Sequence, residues 1–189
     1  MNNKTGLSGK VRIILILLSA CGTVLCAWNL IRTFQGSVTL LGVLSNAVQF
    51  LAYLSMLIFA ACTYKIKGKG SAPFQGVVIA FAALLGIQLL QSGQAIAGFG
   101  LNETLTLMIN LFNLIAFANA IVFSCKLDER KKAVGYLTAA VILKLIGELI
   151  LIIKLWSNIN FGIILISLSV PVLGLIILLA YLNDDRQEA

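Results

Sequence analysis

Residues 133–156 read AVGYLTAAVILKLIGELILIIKLW, from Ala133 to Trp156. The run is longer than the roughly 20 apolar residues that cross a bilayer's hydrocarbon core. Lys144 stands near its middle and Glu148 follows one helical turn later. On an insertion scale the two charges cost about 5–7 kcal/mol at that depth, and the Leu, Ile and Val residues offset about 4–8 kcal/mol. Insertion of this helix alone is marginal, so both charges are expected to face protein rather than lipid. A spacing of four puts them on one helix face, within reach of each other. Lys before Glu is the weaker order for such a pair, so partners on other helices are also expected.

The rest of the chain belongs to the same class. Of 189 residues, 60% are hydrophobic and 11% charged, and mean hydropathy is +1.01. A water-soluble domain cannot hide that much apolar surface. The expected fold is all-α: six transmembrane helices in one integral membrane domain over residues 1–189, arranged as three hairpins with both termini cytoplasmic. A net charge of +7 raises nucleic-acid binding in a soluble protein. Here the basic residues sit in short loops and read as topology signals, so the expected partner is the lipid bilayer and not nucleic acid. There is no His, which removes His-based catalysis, triads and metal sites. Cys21, Cys26, Cys62 and Cys125 lie inside apolar runs without a C-x-x-C motif and read as packing residues. No cofactor and no metal are expected.

Six apolar runs are separated by polar punctuation. The first, about 11–34, follows a basic start. Leu18-Ser19-Ala20-Cys21 is similar to a lipoprotein cleavage motif, but the run stays apolar beyond Cys21 to Ile31, so a retained span is expected. The second run covers about 37–64 and carries no charge. The basic loop Lys65–Pro73 cannot be buried, and Pro73 suits the start of a helix covering about 74–99. Gly98, Gly100 and Asn102 mark a turn, with Asn102 the expected N-cap of a helix over about 104–125. The charged loop Lys126–Lys132 precedes the fifth run, 133–156. Ser157-Asn158-Ile159 links it to the sixth, about 160–182, and the tail is polar. Of the 14 basic residues, 11 fall at the N-terminus, in the two basic loops and in the tail, while the other side holds only Arg32 and Lys154. The positive-inside rule then places both termini in the cytoplasm, and the expected location is a bacterial cytoplasmic membrane. Trp28 and Trp156 fall toward the outer interface and Tyr64, Tyr136 and Tyr181 toward the inner one. Hairpin ends recur at intervals near 60 residues, a weak sign of triplication.

Depth sorts the polar residues. Counted at 1.5 Å per residue, Asn46 and Gln49 of the second helix, Gln88, Gln91 and Ser92 of the third, Asn110 and Asn113 of the fourth, and Lys144 and Glu148 fall within roughly 7 Å of the midplane. Positions 46/49/53, 88/91/92 and 110/113 each mark one helix face, with Tyr53 in the first set. Four helices can therefore point amide or ionic groups at one volume. Either these groups glue helices together by hydrogen bonds, or they line a cavity for a small polar solute or ion. Ala82/Gly86, Gly93/Ala97, Ala116/Ala120 and Gly135/Ala139 are spaced for close helix contact. Pro171 frees the carbonyl of Ser167 and is expected to kink the sixth helix. Asn102-Glu103-Thr104 matches a glycosylation sequon too near the membrane to act as one.

Two functions follow. The first is binding or transport of a small polar solute or ion through a mid-membrane cavity, with Lys144 and Glu148 handling charge and Gln49, Gln88, Gln91, Asn46, Asn110 and Asn113 orienting the solute. The second is a non-transporting accessory protein for assembly, immunity or stress, working through helix contacts. An intramembrane enzyme would need an arrangement such as Ser92 with Lys144, for which the spacing gives no support, so no catalytic residue is expected. In size and six-helix layout the chain is similar to the substrate-binding subunits of energy-coupling-factor vitamin transporters, without a shared motif. That likeness implies a cytoplasmic ATPase or another membrane partner, because GLSGKV near the N-terminus lacks the spacing of a phosphate-binding loop.

Overall fold

The computed structural model describes residues 9–35, 39–63, 66, 71–93, 101–127, 129–154 and 161–183. Among them the chain is all-α, with no strand. Helix α1 spans Gly9–Gln35, α2 Leu40–Ile58, α3 Ala72–Gly93, α4 Leu101–Cys125, α5 Arg130–Lys154 and α6 Phe161–Asn183. Five of the six are long and apolar enough to cross a membrane, which makes this an integral membrane protein. Large apolar side chains such as Ile13, Leu17, Val24, Leu51 and Leu111 stand exposed. In water they would drive aggregation, whereas lipid solvates them without cost. Tyr64, Gly98, Gly100, Trp156, the 157–159 link and the tail beyond Asn183 lie outside the described residues, as do the side chains of Ser92 and Asn102.

The contacts fall into two compact units. Unit one holds Met1–Phe81 and Leu175–Ala189, and unit two holds Ala82–Gly174. In unit one, α1 packs on α2. The Thr39 hydroxyl caps α2 by accepting from the Gly42 backbone N–H at 3.2 Å. Past Ile58 the helix widens into a π-helical turn, Phe59–Thr63. That turn carries carbonyls outside the regular α pattern, and Arg12 of α1 answers two of them. Its Nε donates to the Ala60 carbonyl at 3.0 Å and its Nη2 to the Ala61 carbonyl at 2.5 Å. A guanidinium suits the job because its donors sit in a fixed fork and its charge complements the negative end of a helix dipole. Aromatic rings fill the space nearby. Phe59 and Phe74 lie 5.2 Å apart, and Phe74 stacks on Tyr181 at 6.3 Å.

Gly22 lets α1 approach α2 closely. A Cβ there would overlap the Tyr53 ring, and Tyr53 is fully enclosed. The pairs proposed from small-residue spacing fare unevenly. Gly86 faces the Phe117 ring, which would lie 3.1 Å from an added Cβ, while an added Cβ at Gly135 meets nothing within 4 Å. Gly135 therefore sets no close contact, and its spacing with Ala139 is coincidental. Ala116 and Ala120 are both buried.

In unit two, α4 and α5 form the closest helix pair. The turn between them is laced by charge. Glu129 Oε1 pairs with Lys126 at 2.5 Å and Oε2 with Lys132 at 2.6 Å. The Glu129 carbonyl takes the first α5 bond, from Ala133 N at 2.9 Å, so α5 begins at Arg130, three residues before the expected Ala133. Helix α4 likewise starts at Leu101. This corrects the expectation that Asn102 caps it: apolar Leu101 joins the helical run, so Asn102 lies inside the helix. Helix α6 stays α-helical through Pro171.

Replacing Gly22 with Ala is expected to lower stability by about 1–3 kcal/mol through overpacking against Tyr53, read as a lower midpoint of thermal unfolding in detergent. An unchanged midpoint contradicts this packing. A second expectation concerns pH. The Lys126 hydrogen bond, with Lys132 beside it, pulls the Glu129 carboxyl down to about 2. A depressed carboxyl contributes its pairing above the ordinary carboxylate range, about 4.3, and loses it as pH falls through about 2. The group is exposed, so added salt should move its midpoint back toward the ordinary value. Carboxyl carbon shifts of Glu129 at low and high ionic strength check this.

Candidate functional site

Each helix of unit two contributes polar side chains by its own periodicity. On α5, Lys144, Glu148, Leu151 and Lys154 follow at intervals of four, three and three and so share one face. On α4, Thr106, Ile109 and Asn113 do the same at three and four. On α3, Gln88 and Gln91 are one turn apart. Together with Ser167 of α6 these residues enclose a cavity of about 330 Å³. That volume lies at the small end of ligand pockets, which run from roughly 300 to 1,000 Å³.

Lys144 and Glu148 are the buried centre, at 2% and 5% exposure. Their side chains form a direct ion pair within α5. The Lys144 ammonium also donates to Asn113 Oδ1 on α4 at 3.1 Å. Both expectations for this pair are met: it closes along its own helix and it draws a partner from another. Gly147 faces α4 at this level, at a separation where a Cβ would make only ordinary van der Waals contact. A Cβ there would lie 3.5 Å from Asn113 Oδ1 and 3.7 Å from Phe112 Cβ. Near the other end of α5, Lys154 donates to the Thr106 hydroxyl at 2.5 Å.

Several polar atoms here are unanswered among the described residues. Glu148 Oε2 and Gln88 Oε1 are buried without a hydrogen-bond partner. So are both amide atoms of Asn110, which is buried on α4 but is not part of the cavity wall. Buried polar atoms usually find a partner, and leaving one unpaired costs about 1–3 kcal/mol. A cluster of them marks a place where another polar group can be received.

Asn46 and Gln49 lie in unit one and are not in the wall of this cavity. Asn46 is consumed by a local network. Its Oδ1 accepts from Asn29 Nδ2 at 2.8 Å and its Nδ2 donates to Thr33 Oγ1 at 2.7 Å. Here the reading as interhelical glue holds, because both faces of the amide are satisfied by α1. Gln49 is buried and has a partner within the protein. The expectation that four helices aim at one volume is thus corrected in its membership. Helices α3, α4, α5 and α6 wall the cavity, and α2 is absent from it. Depth along a helix does not say which neighbour a polar side chain meets.

Sequence reasoning passed over Thr106, Lys154 and Ser167. The signal was present in the spacing of Lys154 from Lys144 and Glu148, but Lys154 was counted as a topology charge near a membrane surface. Among the described residues, no group of three or more His, Cys, Asp or Glu side chains is placed to hold a metal.

Lys144→Met and Glu148→Gln test the centre. Each single change leaves one buried charge unpaired and is expected to cost about 3–5 kcal/mol, whereas the double change should cost much less than the sum. Thermal unfolding of the four proteins of the cycle measures the coupling, and additive losses contradict a direct pair. Comparison with protein family models, curated proteins and solved structures finds no match for this chain.

Proposed function

We propose that the protein binds a small polar solute or ion in the cavity of unit two and serves its passage across a bacterial cytoplasmic membrane. The observation that carries this reading is the cavity of about 330 Å³ whose wall sets amides and charges among apolar side chains, on helices built to sit in lipid. Two charges alone need only each other and one amide. Gln88, Gln91, Thr106 and Lys154 add polar groups beyond that need, and Glu148 Oε2 and Gln88 Oε1 remain free to receive a donor among the described residues. Polar surface at bilayer depth is costly and is retained where it lines a path or a site. The excess of basic residues on one side of the spans supports cytoplasmic termini, which puts the Lys154 end of α5 toward the outer surface. The chain carries no nucleotide-binding motif, so uphill movement would draw on an ion gradient or on a partner such as a cytoplasmic ATPase.

The accessory reading is favoured by a different place, the closed Asn29–Asn46–Thr33 network of unit one. It accounts for α1 and α2 but leaves the open acceptors of unit two without a purpose.

Water access separates the two. In a background lacking the four native cysteines, Gln91→Cys and Ser167→Cys line the cavity, while Leu111→Cys and Ile142→Cys stand on exposed apolar positions. An anionic, membrane-impermeant thiosulfonate applied to vesicles of both orientations is expected to modify the first two at least about tenfold faster, since thiolates react only where water reaches them. Equal, slow modification at all four positions contradicts the cavity reading. The vesicle orientation that reacts gives the side to which the cavity opens.

A further inference from the structure

The charges of the cavity wall do not balance. Its ionic side chains are Lys144, Glu148 and Lys154. Glu148 is engaged by Lys144 in the direct pair, and Lys144 spends a further hydrogen bond on Asn113. Lys154 meets only a neutral oxygen, Thr106 Oγ1, and among the described residues no carboxylate lies within ion-pair reach of it. The wall therefore carries one positive charge that the described protein does not neutralise.

Lys154 could have turned away. It stands in the last turn of α5, where a lysine commonly extends along the helix to reach water. Instead its ammonium is held to α4 by Thr106, over the cavity. Both cations line the same cavity. Six residues separate Glu148 from Lys154, a rise of about 9 Å. Lys144 reaches forward along α5 to Glu148, while Lys154 is drawn across to Thr106. A cationic solute would confront both ammonium groups across a wall with one more positive than negative charge, with only Oε2 of the single carboxylate left open to it. A neutral solute would leave Lys154 uncompensated in a setting where charge is poorly screened.

We propose that the solute is a small anion, a carboxylate or phosphate group held by Lys154. This deepens the solute-binding reading and rests on it. The same chemistry could be presented by a soluble anion or by the headgroup of an anionic lipid.

The test uses the full-length protein in neutral detergent and chloride-free buffer, with three matched probes: butyrate, butyramide and butylammonium. Anything that binds only the folded state raises its unfolding temperature. Butyrate is expected to raise it in a saturable way, and the other two are not. Lys154→Gln should weaken the butyrate effect at least about tenfold, and Lys154→Arg should keep it. Micelles doped with phosphatidylglycerol form the lipid arm. Stabilisation by that lipid, dependent on Lys154 and competing with butyrate, supports the anion site and names a headgroup as its occupant. Butyrate acting alone supports the site and names a soluble solute. A larger shift with butylammonium or butyramide overturns the anion assignment while leaving the cavity reading intact. An undiminished butyrate effect in Lys154→Gln overturns it too. Should no probe and no lipid shift the protein, the anion assignment fails, and the cavity reading is then judged by thiol accessibility alone. The wild-type comparison among the three probes stands even if the Lys154→Gln protein does not fold.

Discussion

A charge within the hydrocarbon must be answered by protein, and that requirement governs this molecule. Lys144 and Glu148 cannot both face lipid on a helix whose apolar residues barely compensate for them. Helix α5 is therefore held against α4, with Asn113 receiving the ammonium. Once that face is turned inward, Leu151 and Lys154 must follow it, because they lie on the same helical stripe. The position of Lys154 over the cavity is thus a consequence of where Lys144 is buried, fixed by α-helix periodicity.

Both units carry polar groups at depth, and only those of unit two stand in the wall of the cavity. In unit one the amide of Asn46 is enclosed by Asn29 and Thr33, and Arg12 covers the carbonyls of the π-helical turn. In that network donors and acceptors are matched, as expected of groups that hold helices together, while Ser19 Oγ and Asn183 Nδ2 of the same unit are buried without a hydrogen-bond partner among the described residues. In unit two the ion pair is matched, but Glu148 Oε2, Gln88 Oε1 and the Asn110 amide are not, among the described residues. Polar atoms left open beside a cavity are what a binding site needs before its solute arrives.

Much of this was legible in the sequence. Hydrophobic run length set the helices, and the charged loops set their ends to within a few residues. The Lys144–Glu148 pair and its need for a cross-helix partner followed from cost and spacing. Depth along each helix correctly grouped Gln88, Gln91 and Asn113 with that pair. It failed for Asn46, because height along a helix says nothing about which neighbour a face meets. It missed Lys154 for the converse reason: a position near the end of a span suggested the membrane surface, while its helical face belonged to the interior. Gly135 shows the same limit, since small-residue spacing recurs by chance wherever small residues are common.

The central claim is that water reaches the buried ion pair through a polar cavity. Water-edited solid-state NMR of the protein in bilayers, with lysine side chains labelled with nitrogen-15, tests it most directly. The account predicts rapid polarisation transfer from mobile water to the Lys144 ammonium, despite its depth and its 2% exposure. A Lys144 signal that builds up as slowly as those of the surrounding apolar side chains would mean a dry, closed interior and would contradict it.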